Sequence, residues 1–140
     1  MGLLARFDRV RRFRYDVPGF DPEDWKQVTE RGFLGLRLPE SRGGVNFGMA
    51  EFCALAEELG KGLLPETIVH ATAIAPMLPD RVLEELIVGS RIVLPAVQEK
   101  LGDPAFISAT SRGGKATGTK RFIPYAGSAT AFLVAAVDGL

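Results

Sequence analysis

Few residues in this chain of 140 are able to do chemistry, and their spacing decides what they cannot do. His70 is the single histidine, so no His-ligated zinc site can be assembled, since such sites draw several imidazoles or thiolates together at fixed intervals. Cys53 is the single cysteine, so no intramolecular disulfide forms. It has no basic neighbour in sequence to favour a thiolate, and it is expected to pack rather than react. The run "GGKATGTK", residues 113–120, superficially suggests a phosphate loop. The Walker pattern needs four residues between its glycines and a Lys-Ser/Thr step into a helix, and here neither is present. Glu57-Glu58 and Glu84-Glu85 are paired carboxylates, but each pair falls on a helical pattern and reads as a solvated face. No catalytic or metal-binding constellation follows from spacing.

The elements that carry these residues divide the chain in two. "DPEDWKQVTERG" opens on Asp21 as N-cap and Pro22 at the first helical position, with Glu23 and Asp24 near the positive end of the helix dipole. Gly32 stops it. "FLGLRLPESRGG" reads as an extended linker over 33–39 that turns at Pro39 and Gly43-Gly44. "FGMAEFCALAEELG" carries an apolar stripe of Phe52, Leu55, Ala56 and Leu59 at helical spacing, with Gly60 as its cap. A third helix starts at Pro65 and breaks at Pro76; a fourth follows Pro79 and closes at Gly89. The period then changes from 3.6 to 2. "SRIVLPAVQE" contains Pro95 and reads as irregular or as a sheet edge. Residues 106–120 read as a hairpin turning at Gly113-Gly114, and Ala131 to Val137 as a buried strand ending on the turn signal Asp138-Gly139. The expected fold class is α+β: a helical domain over 1–89, then an incomplete antiparallel β-domain over 90–140.

Hydrophobic residues at 46% and charged residues at 24% indicate a globular chain. Seventeen basic residues balance seventeen acidic ones, which argues against a nucleic-acid partner. The basic cluster "RVRRFR" near the start reads as a solvated helix face. "MGLLARFDRVRRFRY" is Arg-rich like a transit peptide, but Asp8 and the lack of serine count against one. It has no apolar h-region, and Arg6 breaks the myristoylation pattern after Gly2. No apolar run reaches membrane-spanning length, so no membrane association is expected. A lone cysteine fits a reducing compartment, and a cytoplasmic location is the expectation.

Three segments together resemble the N-terminal part of the acyl-CoA dehydrogenase family. "WKQVTERGFLGLRLPESRGGVNFGMAEFCALAEELGKGLLP" is similar to the family's helix opening on Trp, its Pro-Glu and Gly-Gly passage and its helix ending Glu-Glu-Leu-Gly. "ELIVGSRIVLPAVQE" resembles the passage into the middle β-domain, and "FISATSRGGKATGTKRFIPYAGSATAFLVAA" the hairpin leading to Gly-Thr-Lys. The resemblance runs from about Asp21 to Leu140. It implies an N-terminal helical domain and roughly the first half of the middle β-domain, with the rest of the sheet and the C-terminal helical domain outside this sequence.

The resemblance also implies FAD as cofactor, acyl-CoA thioesters as substrates and a homo- or hetero-oligomer. In the family, a carboxylate in the C-terminal domain takes the α-proton while hydride passes to flavin N5, so no catalytic residue is assigned here. Where the family has Thr-Glu-Pro and Gly-Ser-Asp against the flavin, this chain has Val97-Gln98-Glu99-Lys100 and then Gly102-Asp103. Where the family has Trp-Ile-Thr, it has Phe122-Ile123-Pro124. The cofactor-facing candidates are thus Val97, Gln98, Gly102, Phe122 and Pro124. Phe122 keeps an apolar contact; Pro124 offers neither hydroxyl nor N–H. Two readings follow: a truncated or partial flavin-dependent acyl-CoA dehydrogenase, or a non-catalytic structural or regulatory subunit of a mixed complex.

Overall fold

A computed structural model describes residues 8, 10–13, 15–17 and 19–138. Gly2, Arg6, Arg9, Arg14 and Gly139, on which readings of the two termini rest, lie outside the described residues.

Helix α1 (Pro22–Glu30) is capped as its sequence dictates: the Asp21 carboxylate accepts from the Glu23 N–H at 3.0 Å, and Gly32 ends the element at φ 72°. Trp25 and Val28 are its buried apolar face. The Trp25 indole N–H donates to the Gly89 carbonyl at 3.1 Å, which fixes the start of the helical half against its end. The expected extended passage over 33–39 is instead a pair of 3₁₀ turns, Phe33–Gly35 and Glu40–Arg42. Leu34 and Leu38 are fully buried while Leu36 between them is only half-buried; an extended strand would set all three on one face, whereas the tight coil buries the outer two and turns the middle one aside.

Helix α2 (Met49–Lys61) runs one residue past Gly60. It ends in a Schellman arrangement: the Leu64 N–H donates to the Leu59 carbonyl and the Leu63 N–H to the Gly60 carbonyl, each at 3.0 Å. The left-handed residue is Leu63, at φ 53°, rather than the expected glycine. Leu59 is the buried anchor of α2, with Phe52, Leu55 and Ala56 half-buried beside it. Cys53 is exposed, which corrects the expectation that it packs. It shares a helix line with exposed Met49 and Glu57, just off the apolar stripe.

Helix α3 (Glu66–Ile74) passes into a 3₁₀ turn at Pro76, and α4 (Asp80–Ile87) buries Leu83 and Leu86 and closes on Gly89 at φ 77°. Arg42 ties the second 3₁₀ turn to the α3–α4 connection. Its guanidinium donates to the Pro76 and Leu78 carbonyls and to Asp80.

Among the described residues the β half has four short strands: β1 (Val93–Ala96), β2 (Thr110–Arg112), β3 (Lys115–Thr117) and β4 (Ala131–Val134). The helix-then-strand order is as expected, and β2–β3 is the expected antiparallel hairpin around Gly113 and Gly114, both at positive φ. The β1–β4 pair differs, because it runs parallel, with Val93 opposite Ala131 and Ala96 opposite Val134. More than thirty residues separate these strands, enough for the crossover a parallel pair requires. The core is continuous across both halves, from Trp25, Leu34 and Leu38 through Ile68 and Leu86 to Val93.

Gly43 and Gly44 separate two effects at adjacent positions. Gly43 is left-handed with open space around it, whereas a Cβ at Gly44 would lie 2.2 Å from the Leu38 carbonyl oxygen. Gly43→Ala is expected to cost about 1–2 kcal/mol, the left-handed penalty. Gly44→Ala should cost about 3 kcal/mol, the upper end for overpacking against backbone. Urea denaturation of both variants measures the difference; equal losses would place the constraint elsewhere.

Candidate functional site

The residues that the resemblance points to lie where β1 leaves the sheet and the chain after β3 comes back across it. Val97 and Gln98 follow β1 directly. The Gln98 backbone carbonyl accepts from the Arg121 N–H at 2.8 Å, and the Val97 carbonyl accepts from the Lys120 ammonium at 3.1 Å. Val97, Gln98 and Phe122 are therefore brought to one wall, with Pro124 two residues further along. Val97, Phe122 and Pro124 are exposed and Gln98 is half-buried. Gly102 is not part of that wall. It sits at φ 77° in an exposed turn closed by the Lys100–Asp103 bridge.

The wall is held by two residues to which sequence reading gave no role. Glu99 and Lys120 form an ion pair at 2.7 Å, with side chains only 5% and 9% exposed. One Glu99 carboxylate oxygen accepts from Lys120 and from the Ala109 N–H; the other accepts from the Ser108 N–H and hydroxyl. One buried carboxylate thus joins the exit of β1, the entry to the hairpin and the segment after β3. A signal for it exists in the hairpin. Extending the Thr110–Thr117 register outward sets Lys120 opposite Ile107, beside Ser108.

The returning segment has unusual backbone. Phe122 and Tyr125 are left-handed, at φ 56° and 55°, a conformation that costs a residue bearing a Cβ roughly 1–2 kcal/mol. What holds Tyr125 there is visible. Its ring packs edge-on to Phe20 with centroids 5.8 Å apart and lies over Gly19, where a Cβ would come within 3.1 Å of it. Beside this contact is a cavity of about 350 Å³ lined by Phe13, Phe20, Leu63, Leu64, Pro65 and Tyr125. None of the five candidate residues lines it.

The other chemistry-bearing residues stay apart. His70 is half-buried on α3 and Cys53 exposed on α2. Glu57 and Glu58 pair with Lys61, and Glu85 with Arg91. Among the described residues no three metal-ligating side chains come together, and no helix is long and apolar enough to cross a membrane.

The Glu99 carboxyl is held down to about 2, chiefly by the Lys120 hydrogen bond and then by the Ser108 hydroxyl and the Ala109 N–H, against the opposing effect of burial. A carboxyl lowered in the folded state stabilises it above the ordinary carboxylate range, and that stability is lost as pH falls. The window therefore runs from about pH 5 down to about pH 2. Lys120→Met removes the main cause. We expect a lower melting temperature at pH 7 and a shallower loss between pH 5 and pH 2 than in the unmodified chain. Thermal melts across that range test it; parallel acid limbs would show that Lys120 does not set the Glu99 titration.

Comparison with known proteins places this arrangement. Residues 6–80 match the family model of the acyl-CoA dehydrogenase N-terminal domain. Acyl-CoA dehydrogenase FadE27 of Mycobacterium tuberculosis is 33% identical over 127 residues, which is 84% of this chain and 34% of that protein. Acyl-CoA dehydrogenase IpdE2 of the same organism is 32% identical over 114 residues, 74% of this chain and 36% of that protein. Among solved structures, the Tcur3481-Tcur3483 steroid ACAD G363A variant superposes with a TM-score of 0.73 at 32% identity, covering 94% of this chain and 40% of that one. The ChsE4-ChsE5 complex from Mycobacterium tuberculosis gives a TM-score of 0.68 at 28% identity, covering 96% and 42%. The chain spans about a third of the length of these two curated relatives. With its helical half matched by the family model and both halves shared with solved members, the chain belongs to the acyl-CoA dehydrogenase family.

Proposed function

We propose that this chain is a structural subunit of an acyl-CoA dehydrogenase-type assembly, one that oxidises acyl-CoA thioesters between the α and β carbons, and that this chain does not itself carry the flavin. The observation that carries the reading is Pro124. At the position where the family's hydroxyl faces flavin N5, this chain has a residue with neither hydroxyl nor N–H. Each donor missing from a buried polar atom costs on the order of 1–3 kcal/mol. Nor does the rest of the wall supply a substitute. The Gln98 side-chain amide donates to the Lys100 carbonyl at 3.2 Å, its backbone carbonyl is taken by Arg121, and Gly102 is turned away. These residues do not fit a flavin edge, so no step of the reaction is routed through them.

The scaffold that would support such a wall is nonetheless intact, since Glu99 and Lys120 hold its two segments together. A subunit that keeps the shape and lacks the donors is suited to lie against a flavin-bearing partner. Two of the solved relatives are named as two-component proteins, which supports a mixed oligomer. The second reading, part of a flavin-bearing dehydrogenase, is favoured by that same intact wall. The proposed location is the cytoplasm.

Purified chain incubated with excess FAD and desalted should retain no flavin absorbance near 450 nm. Co-expression with a flavin-containing acyl-CoA dehydrogenase should yield a co-purifying yellow complex that reduces an artificial electron acceptor with acyl-CoA. Stoichiometric flavin retained by the chain alone would overturn the structural reading in favour of the second.

A further inference from the structure

The cavity of about 350 Å³ beside Tyr125 lies between the start of α1, the end of α2 and the segment after β3. At roughly 30 Å³ per water molecule it has room for about a dozen waters, or for a molecule of about two fused rings. That is within the size range of small-ligand sites, about 300–1,000 Å³. None of the five flavin-facing candidates lines it, so the site is separate from the wall and independent of the proposed function. The fold keeps this space open by unfavourable local choices. Leu63 and Tyr125, two of the four non-glycine residues with left-handed backbone among those described, both line it. That conformation is disfavoured for any residue with a Cβ, and such strain gathers where ligands are clamped. Gly60 also borders the cavity. It is exposed, lies inside helix α2, and a Cβ added there would meet nothing within 4 Å. Neither conformation nor crowding calls for glycine at 60, and in a helix glycine is less favourable than alanine. Its missing side chain leaves the cavity unobstructed.

We propose that this cavity is a binding site for a flat, uncharged aromatic molecule of about two fused rings. Three aromatic residues, Phe13, Phe20 and Tyr125, contribute to its lining, together with Leu63 and Leu64. The Phe20 and Tyr125 rings stand at 75° to each other with centroids 5.8 Å apart. A third ring set beside such a pair can stack on one and meet the other edge-on, the two arrangements that aromatic rings favour. The charge of the ligand follows from the polar part of the lining. Asp21 and Asp24 border the cavity, and among the described residues that line it none is basic. The Asp21 carboxylate already accepts from the Glu23 N–H, and Asp24 is buried. An anionic group there would face carboxylates with no cation from the lining to offset them, whereas an uncharged ring loses only its contact with water.

The probe is 2-naphthol, added to the full chain at pH 7 and followed by the methyl resonances of Leu63 and Leu64. The shifts should saturate with a Kd at or below about 1 mM. The carboxylate analogue 2-naphthoate should bind at least about tenfold more weakly. Gly60→Leu places a side chain in the open space beside the cavity and improves the helix. It should leave the melting temperature unchanged or raised while weakening 2-naphthol at least about tenfold. If Gly60→Leu fails to fold, nuclear Overhauser contacts in the unmodified chain decide: they should run from 2-naphthol to the Leu63 and Leu64 methyls and to the Phe20 and Tyr125 rings. No saturable shift would overturn the proposal. So would equal binding of 2-naphthoate, a folded Gly60→Leu chain that binds 2-naphthol as before, or Overhauser contacts confined to other residues.

Discussion

The β half depends on one buried carboxylate. Its strands are three or four residues long, too short to hold a register by ladder bonds alone. Glu99 supplies the missing constraint. By accepting from Lys120, Ser108 and Ala109 together, it pins the exit of β1 to the segments on either side of the β2–β3 hairpin. Desolvating a carboxylate and an ammonium is costly unless their remaining hydrogen-bonding capacity is used. Here it is, since both carboxylate oxygens are occupied and the ammonium also reaches the Val97 carbonyl. The pair is thus better understood as fixing one arrangement of the loops than as a large gain in stability. Without it, the hairpin would be held by the Val137–Ala109 and Arg121–Gln98 backbone bonds and the Arg112–Asp138 ion pair.

A second constraint crosses from the β half to the helical half. Tyr125 takes a left-handed backbone so that its ring can reach Phe20, and Gly19, at φ 86°, leaves room for it. The strain is local and is offset by an aromatic contact worth roughly 0.5–1.5 kcal/mol beyond burial. Phe122, three residues earlier, is left-handed with no ring contact of that kind among the described residues, and it is more than half exposed. Between these two fixed points, anchored by Lys120 on one side and Tyr125 on the other, the Ile123-Pro124 stretch has little freedom. The wall's shape is therefore set by its two anchors rather than by anything bound to it.

The helical half was legible because its signals are local. Asp21, Pro22, Gly32, Pro76 and Gly89 act within a turn of where they stand, and each element ends where they place it. The misreadings came where a local signal was true of more than one conformation. Leu34 and Leu38 suit a coil as well as an alternating strand, and a glycine at 60 suggests a cap that Leu63 in fact provides. Nothing in Cys53's neighbours says which side of a one-residue boundary it occupies. The parallel pairing of β1 and β4 lay beyond reach for a different reason, since strand direction is set by the path of the intervening chain. The five flavin-facing candidates come from the resemblance alone, and Glu99 with Lys120, far apart in sequence, are legible only through the hairpin register.

What this chain keeps and what the proposed function has it lack are of different physical kinds. Retained are the residues that make shape: the capped helices, the Arg42 tie, the buried ion pair, and a glycine wherever backbone or ring comes too close for a Cβ. On the proposed reading, what is missing is donors, at positions where a side chain matters only if a ligand is there to accept from it. Proline at 124 takes nothing from the fold, because that position is exposed and its neighbours are anchored independently. Fold and chemistry are separable in this way whenever the residues that position a site are distinct from those that act in it. Here the separation falls within a single six-residue segment, where Lys120 and Tyr125 do the positioning and Pro124 stands between them.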